Sequence, residues 1–131
     1  GAHNKASGIA LLKTLKSLYK NITNPILIYG SGYAHDPSEV INEILRINPI
    51  IVLTRSRHPK SIPVEELERE LLQLKIPIYA TTKNTKLAVA LAKKLRTNDS
   101  IIIATGSLFV AGEIIEIMNN IKPELYQFTK N

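Results

Sequence analysis

The sequence predicts an α/β domain, three layers deep, built on a mostly parallel sheet. Short β-branched runs alternate with stretches of helical periodicity along the whole chain, the pattern of consecutive βαβ units. Polar and glycine-containing segments fall just after the apolar runs, where strand gives way to helix. The composition agrees: 131 residues, 44% hydrophobic and 21% charged, are enough for one core and few for two. Residues 1–131 are therefore read as a single domain, with no internal repeat and no linker to divide it.

From Lys5 to Tyr19, Ile9, Leu11, Leu12, Leu15, Leu18 and Tyr19 recur at helical spacing with lysines between them. This helix starts so early that Gly1 to Asn4 read as the end of a strand-to-helix loop, and the first strand is expected to lie upstream. Asn24-Pro25 closes the next connection, and Ile26 to Tyr29 form a strand ending in Gly30-Ser31-Gly32. Asp36-Pro37-Ser38-Glu39 is a helix start, with an acid at the cap, Pro at the first helical position and Glu at the third. Val40, Ile41, Ile44 and Leu45 should face inward.

Ile50 to Leu53 give a second strand, followed by the basic loop Thr54-Arg55-Ser56-Arg57-His58-Pro59-Lys60. Ser61 or Ile62 should cap the next helix, whose buried stripe is Val64, Leu67, Leu71 and Leu74. Ile76 to Ala80 supply a third strand, and Pro77 assigns it to an edge or delays its start. Asn84 precedes a helix with Leu87, Ala88, Leu91, Ala92 and Leu95 toward the core. Ile101 to Ala104 read as a strand buried on both faces. Thr105-Gly106-Ser107 turns it into a last helix from about Leu108 to Asn119, and the tail from Lys122 is either irregular or an added edge strand.

Composition also narrows function. Without cysteine there are no disulfides, thiolate metal sites or cysteine nucleophiles, which fits a cytoplasmic protein. No long apolar span and no signal-peptide pattern point to a membrane. Seventeen Lys and Arg against eleven Asp and Glu give +6, which fits nucleic acid, an anionic substrate or simply a lysine-rich proteome. Nucleic acid is disfavoured, because Lys13, Lys16, Lys20, Lys93, Lys94 and Arg96 lie on polar helix faces and aromatics are only 5% of the chain.

In open α/β sheets ligands bind beyond the carboxyl ends of the strands. The segments placed there are Gly1 to Lys5, Gly30 to Asp36, Thr54 to Lys60 and Thr105 to Ser107, and the first three carry His3, His35 and His58. Gly30-Ser31-Gly32 does not complete a dinucleotide fingerprint, since position 35 is His, and no G-x-x-x-x-G-K-[ST] phosphate loop occurs. The glycine segment is either a nest of amides or a flexible turn. The histidines are too scattered for a local metal motif and no carboxylate cluster accompanies them, so no metal ligand is assigned. Ser107 lacks the flanking glycines of a nucleophile elbow. It reads as a helix cap, as a hydrogen-bonding group for an anion, or as both.

Gly1-Ala2-His3-Asn4, the loop Thr54-Arg55 to His58-Pro59, and Thr105-Gly106-Ser107-Leu108 with Gly112-Glu113 occur in this order, and at similar spacing, in folylpolyglutamate and dihydrofolate synthases of the Mur ligase superfamily. Over residues 1 to about 118 the chain resembles their C-terminal, glutamate ligase domain, a Rossmann-like unit. It departs from the family pattern at Lys5, where Pro is usual, at His35, where Lys is usual, and at Lys60, where Arg is usual.

The resemblance implies ATP-dependent joining of L-glutamate to a folate or pteroate through an acyl phosphate, and so a place in folate biosynthesis and one-carbon metabolism. It implies that His3 and Asn4 lie near the transferring phosphate. Glutamate would be held by Thr54, Arg55, His58, Gly106 and Ser107, with Lys60 and His35 beside them. ATP and Mg2+ would be bound mainly by a central ATPase domain and other segments outside this chain, leaving the chain alone inactive. Other readings of the same residues are a Mur-type ligase for a different amino acid or acceptor, or a free-standing Rossmann-like module that binds an anion without chemistry.

Overall fold

The computed structural model describes residues 24–32, 37–97 and 100–120. The expected helix over Lys5 to Tyr19, the cap at Asp36 and the tail from Lys122 lie outside them. Within the described residues, strands β1 (Ile26–Tyr29), β2 (Ile50–Leu53), β3 (Ala80–Thr81) and β4 (Ile102–Thr105) alternate with helices. The helices are α1 (Pro37–Ile44), α2 (Val64–Gln73), α3 (Thr85–Leu95) and α4 (Leu108–Met118).

The strands form one parallel sheet in the order β3-β2-β1-β4. β1 and β2 are its inner strands: Ile26 to Tyr29 of β1 lie opposite Ile50 to Leu53 on one side and Ile102 to Thr105 on the other. β3 adds Val52 opposite Ala80 and Leu53 opposite Thr81. Side chains alternate between faces along each strand, so an unbroken apolar run serves two cores at once. Leu27, Tyr29, Ile51, Leu53 and Ile103 pack with Ile41 and Ile44 of α1 and with Leu67 and Leu71 of α2. On the other face Ile26, Ile28 and Val52 pack with Ala88, Val89 and Ala92 of α3 and with Val110 and Ile114 of α4. From β1 to β3 the chain steps in one direction across the sheet, and from β3 to β4 it steps back. With right-handed crossovers, that reversal puts α1 and α2 on one face and α3 on the opposite one.

Several expected details differ. The third strand is Ala80–Thr81 rather than Ile76 to Ala80. Ile76 is buried and Ile78 packs beside it, but they serve as core-filling loop residues; Tyr79 is the first in this segment to donate to β2, through its N–H to the Ile51 carbonyl at 2.9 Å. The edge position that Pro77 suggested is observed. α2 is capped by Pro63, without a side-chain cap, instead of by Ser61 or Ile62. Leu74 leaves the buried stripe as that helix's C-cap and is 52% exposed. On α3 it is Val89 that packs inward, while Leu87 is 49% exposed. Burial on both faces is found in β1 and along Ile51 to Leu53 of β2; β4 stands at one side of the described sheet, with Ile102 and Ala104 only half-buried.

Candidate functional site

Because the strands are parallel, their carboxyl ends share one edge. β1 sends its chain toward β2, whereas its other neighbour, β4, sends its chain into α4. The loops after β1 and β4 therefore diverge, and such a switch point opens a crevice at the sheet edge. Two glycines bring the turns together at this edge. A Cβ on Gly106 would strike the Gly30 carbonyl oxygen and the Tyr29 ring, and φ of 101° at Gly106 is a conformation that suits glycine. A Cβ on Gly30 would come within 2.7 Å of the Thr54 carbonyl oxygen and 2.9 Å of Val110 Cγ2. The turns after β1, β2 and β4 thus touch through backbone.

One wall is the start of α4. Ser107 Oγ accepts hydrogen bonds from the Phe109 N–H at 3.1 Å and the Val110 N–H at 3.4 Å. That is the capping role expected for it, and the half-buried side chain remains beside the crevice.

The opposite wall is the loop after β2, tied internally and to its neighbours. The Ser56 and Ser61 hydroxyls share a short hydrogen bond, and the His58 N–H donates to Ser56 Oγ at 3.2 Å. The Lys60 N–H donates to His58 Nδ1 at 3.0 Å, so a neutral His58 carries its proton on Nε2. The Ile62 N–H reaches the Ser31 carbonyl at 2.8 Å, and Gly32 pairs antiparallel with Ser61. His58 is only 8% exposed and stacks on Phe109, ring centroids 3.8 Å apart. Thr54 is fully buried, and its Oγ1 has no hydrogen-bond partner among the described residues.

Arg57 is the loop's anchor. Its backbone N–H donates to Glu113 Oε2 at 2.8 Å, its Nε lies 3.5 Å from the same oxygen, and its terminal nitrogen is 3.1 Å from Glu116 Oε1. The Thr85 hydroxyl donates to Glu113 Oε1 at 2.9 Å. By contrast, the side chains of Arg55, half-buried, and Lys60, exposed, make no hydrogen bond or ion pair among the described residues.

Thr54, Arg55, His58, Lys60, Gly106 and Ser107 therefore lie at one edge of the sheet, in the segments that follow β2 and β4. His3, Asn4 and His35 lie outside the described residues. Among the described residues no three His, Cys, Asp or Glu side chains converge to hold a metal ion. Sequence reasoning missed the parts played by Arg57, Thr85, Phe109 and Glu113. One signal was present: Glu113 falls on the same stripe of α4 as the apolar Val110, Ile114 and Ile117, and an acid on a core-facing stripe needs a partner.

No protein-family profile matches the chain, and no curated protein does. Solved structures do match. Folylpolyglutamate synthase of Mycobacterium tuberculosis, solved with ADP and AMPPCP, superposes with a TM-score of 0.78 at 21% identity, over 95% of this chain and 29% of that one. FolC of Escherichia coli in complex with DHPP and ADP gives 0.73 at 16%, over 91% of this chain and 27% of its own. Folylpolyglutamate synthase of Thermotoga maritima gives 0.72 at 22%, over 93% and 27%. The chain thus spans under a third of the length of the structures that it matches. At such identities the likeness is one of fold: this α/β unit has the architecture of a segment of the folylpolyglutamate synthases.

Proposed function

We propose that this chain is the C-terminal, glutamate-binding domain of an ATP-dependent ligase of the folylpolyglutamate or dihydrofolate synthase kind, acting within a longer polypeptide. The observation that carries the reading is the superposition on folylpolyglutamate synthase over 95% of the chain. The crevice adds chemical support. An amino acid with two carboxylates suits a site with cations on one wall that have no partner among the described residues, Arg55 and Lys60, and a hydroxyl at a helix N-terminus on the other, at Ser107.

Arg55 and Lys60 hold the anionic ends of glutamate, with Thr54, Gly106 and the edge of His58 shaping the pocket. The carboxylates are fixed so that the amine points out of the crevice toward the activated acyl group of the folate or pteroate. The resemblance to the synthases assigns His3 and Asn4 to the transferring phosphate and gives His35 a part in holding glutamate; all three lie outside the described residues. The described residues offer no metal-ligand cluster, and the sequence has no phosphate loop. Nucleotide and Mg2+ are assigned mainly to the rest of the polypeptide, and no step here passes through them.

The test is ligation by the polypeptide that carries this chain, given ATP, Mg2+, labelled glutamate, and either dihydropteroate or tetrahydrofolate. Glutamate incorporation matched by ADP release is expected with at least one acceptor. Incorporation of a different amino acid, or none at all, overturns the reading. In the same assay Ser107→Ala should raise KM for glutamate by about tenfold, the loss of one hydrogen bond to a charged group, and leave KM for ATP nearly unchanged. A shift in the ATP value instead means that this wall serves another ligand.

A further inference from the structure

Glu113 is 2% exposed, and a buried carboxylate persists only where its oxygens are satisfied. Its two oxygens bind two different segments: Oε2 takes the N–H and guanidinium of Arg57 from the loop after β2, and Oε1 takes the hydroxyl of Thr85, the first residue of α3. The carboxylate itself belongs to α4, whose N-cap is Ser107. Phe109, Glu113 and Glu116 are spaced i, i+4 and i+7, one stripe of that helix. The whole stripe meets the loop: Phe109 stacks on His58, Glu113 holds Arg57 by backbone and side chain, and Glu116 takes the end of the same guanidinium.

Arg55 and Arg57 look equivalent in the sequence, but their environments are opposite. Arg57 is paired with two carboxylates, while Arg55 and Lys60 on either side of it have no partner among the described residues.

We infer that Glu113 is the positioning residue of the crevice: by clamping Arg57 it docks the loop after β2 onto α4, sets the separation between the Arg55/Lys60 wall and the Ser107 wall, and so fixes the site's fit to glutamate. The ligand named here rests on the function proposed above, but the clamp does not. Glu113 does not touch the reactants; it acts through the loop.

The experiment compares Glu113→Ala and Glu113→Gln with the unmodified protein, in the polypeptide that carries this chain, by amide hydrogen exchange and by steady-state kinetics. Gln is the conservative variant: its carbonyl can accept from the Arg57 N–H and its amide can donate to the Thr85 hydroxyl, so only the ion pair is lost. In Glu113→Ala the amides of Arg57, Lys60 and Ser61 should exchange about tenfold faster or more, with those of Ile28 and Val52 in β1 and β2 unchanged. KM for glutamate should rise by about tenfold while KM for ATP and kcat move less than about twofold, and Gln should restore most of both effects.

Unchanged exchange over residues 57–61 in Glu113→Ala overturns the proposal, and so does a loss of protection shared equally with β1 and β2. Should the unmodified protein not ligate glutamate, the proposed function fails, and the exchange data still decide for or against the clamp.

Discussion

Gly106 shows how a single position can serve fold and site together. Its amide lies between Thr105 and the Ser107 cap, where an anion is favoured, but its requirement for glycine is steric. φ is 101°, and any Cβ would run into the Gly30 carbonyl and the Tyr29 ring, both at the buried centre of the sheet. Gly106→Ala should therefore cost about 3 kcal/mol or more, combining left-handed strain with displacement of packed backbone. Gly112→Ala, inside α4 with open space around it, should instead add about 0.5–1 kcal/mol of stability. Urea unfolding of the two variants checks both, and equal, small changes would show that the contact between the two turns is dispensable. At this scale the sequence reveals residue types and not their partners. Thr54, Arg55 and Ser107 could be placed at strand ends because strand ends are local features. That His58 stacks on Phe109, distant in sequence, is visible only in the structure. Arg57 likewise differs from Arg55 only through Glu113 and Glu116.

Elements were legible where their signals are local, and the end of α2 shows the limit. Its buried stripe continues by period to Leu74, yet the helix stops a residue earlier. The stop is a Schellman arrangement: the Lys75 N–H returns to the Leu72 carbonyl at 2.9 Å and the Ile76 N–H to the Leu71 carbonyl at 3.0 Å, with Leu71 and Ile76 in one core cluster. The left-handed residue, φ 61°, is Lys75 rather than glycine, so the usual stop signal is missing from the sequence. Lys75→Gly should then stabilise the protein by about 1 kcal/mol, the left-handed penalty relieved less the extra chain entropy of glycine. Thermal and urea unfolding measure it, and a loss of stability would mean that the lysine side chain has a role its exposure does not suggest. The same displaced stop explains β3. Ile76 and Ile78 alternate like a strand because they fill the core on leaving α2, but pairing with β2 begins only beyond Pro77, which has no N–H to donate. α4 was the easiest to read, since Ser107 caps it by side chain and its apolar stripe is long. Its one puzzling letter, Glu113, is the residue that reaches out of the element.

For the whole molecule, alternation of strand and helix fixes more than any one element does. Once all strands are parallel and crossovers right-handed, the carboxyl ends must share an edge, and every polar segment singled out there and described by the structure lies on it. The strand order itself was not legible, because β1, β2 and β4 are similar apolar runs and nothing local says which is central. Only the assembled sheet puts the crevice between β1 and β4. Net charge follows the same logic: Lys93, Lys94 and Arg96 are exposed at the end of α3, away from the strand ends, while Arg55 and Lys60 stand at the crevice. On the function proposed above, the crevice binds and orients an amino acid and leaves activation of the carboxylate to the rest of the polypeptide. The sequence has no phosphate loop, and the described residues hold no cluster of metal ligands. The 131-residue chain alone, supplied with ATP, Mg2+, glutamate and a folate acceptor, should therefore incorporate no labelled glutamate above the protein-free background. Incorporation by the chain alone would mean that the crevice holds nucleotide and both substrates together, and the division of labour argued from its geometry would have to be abandoned.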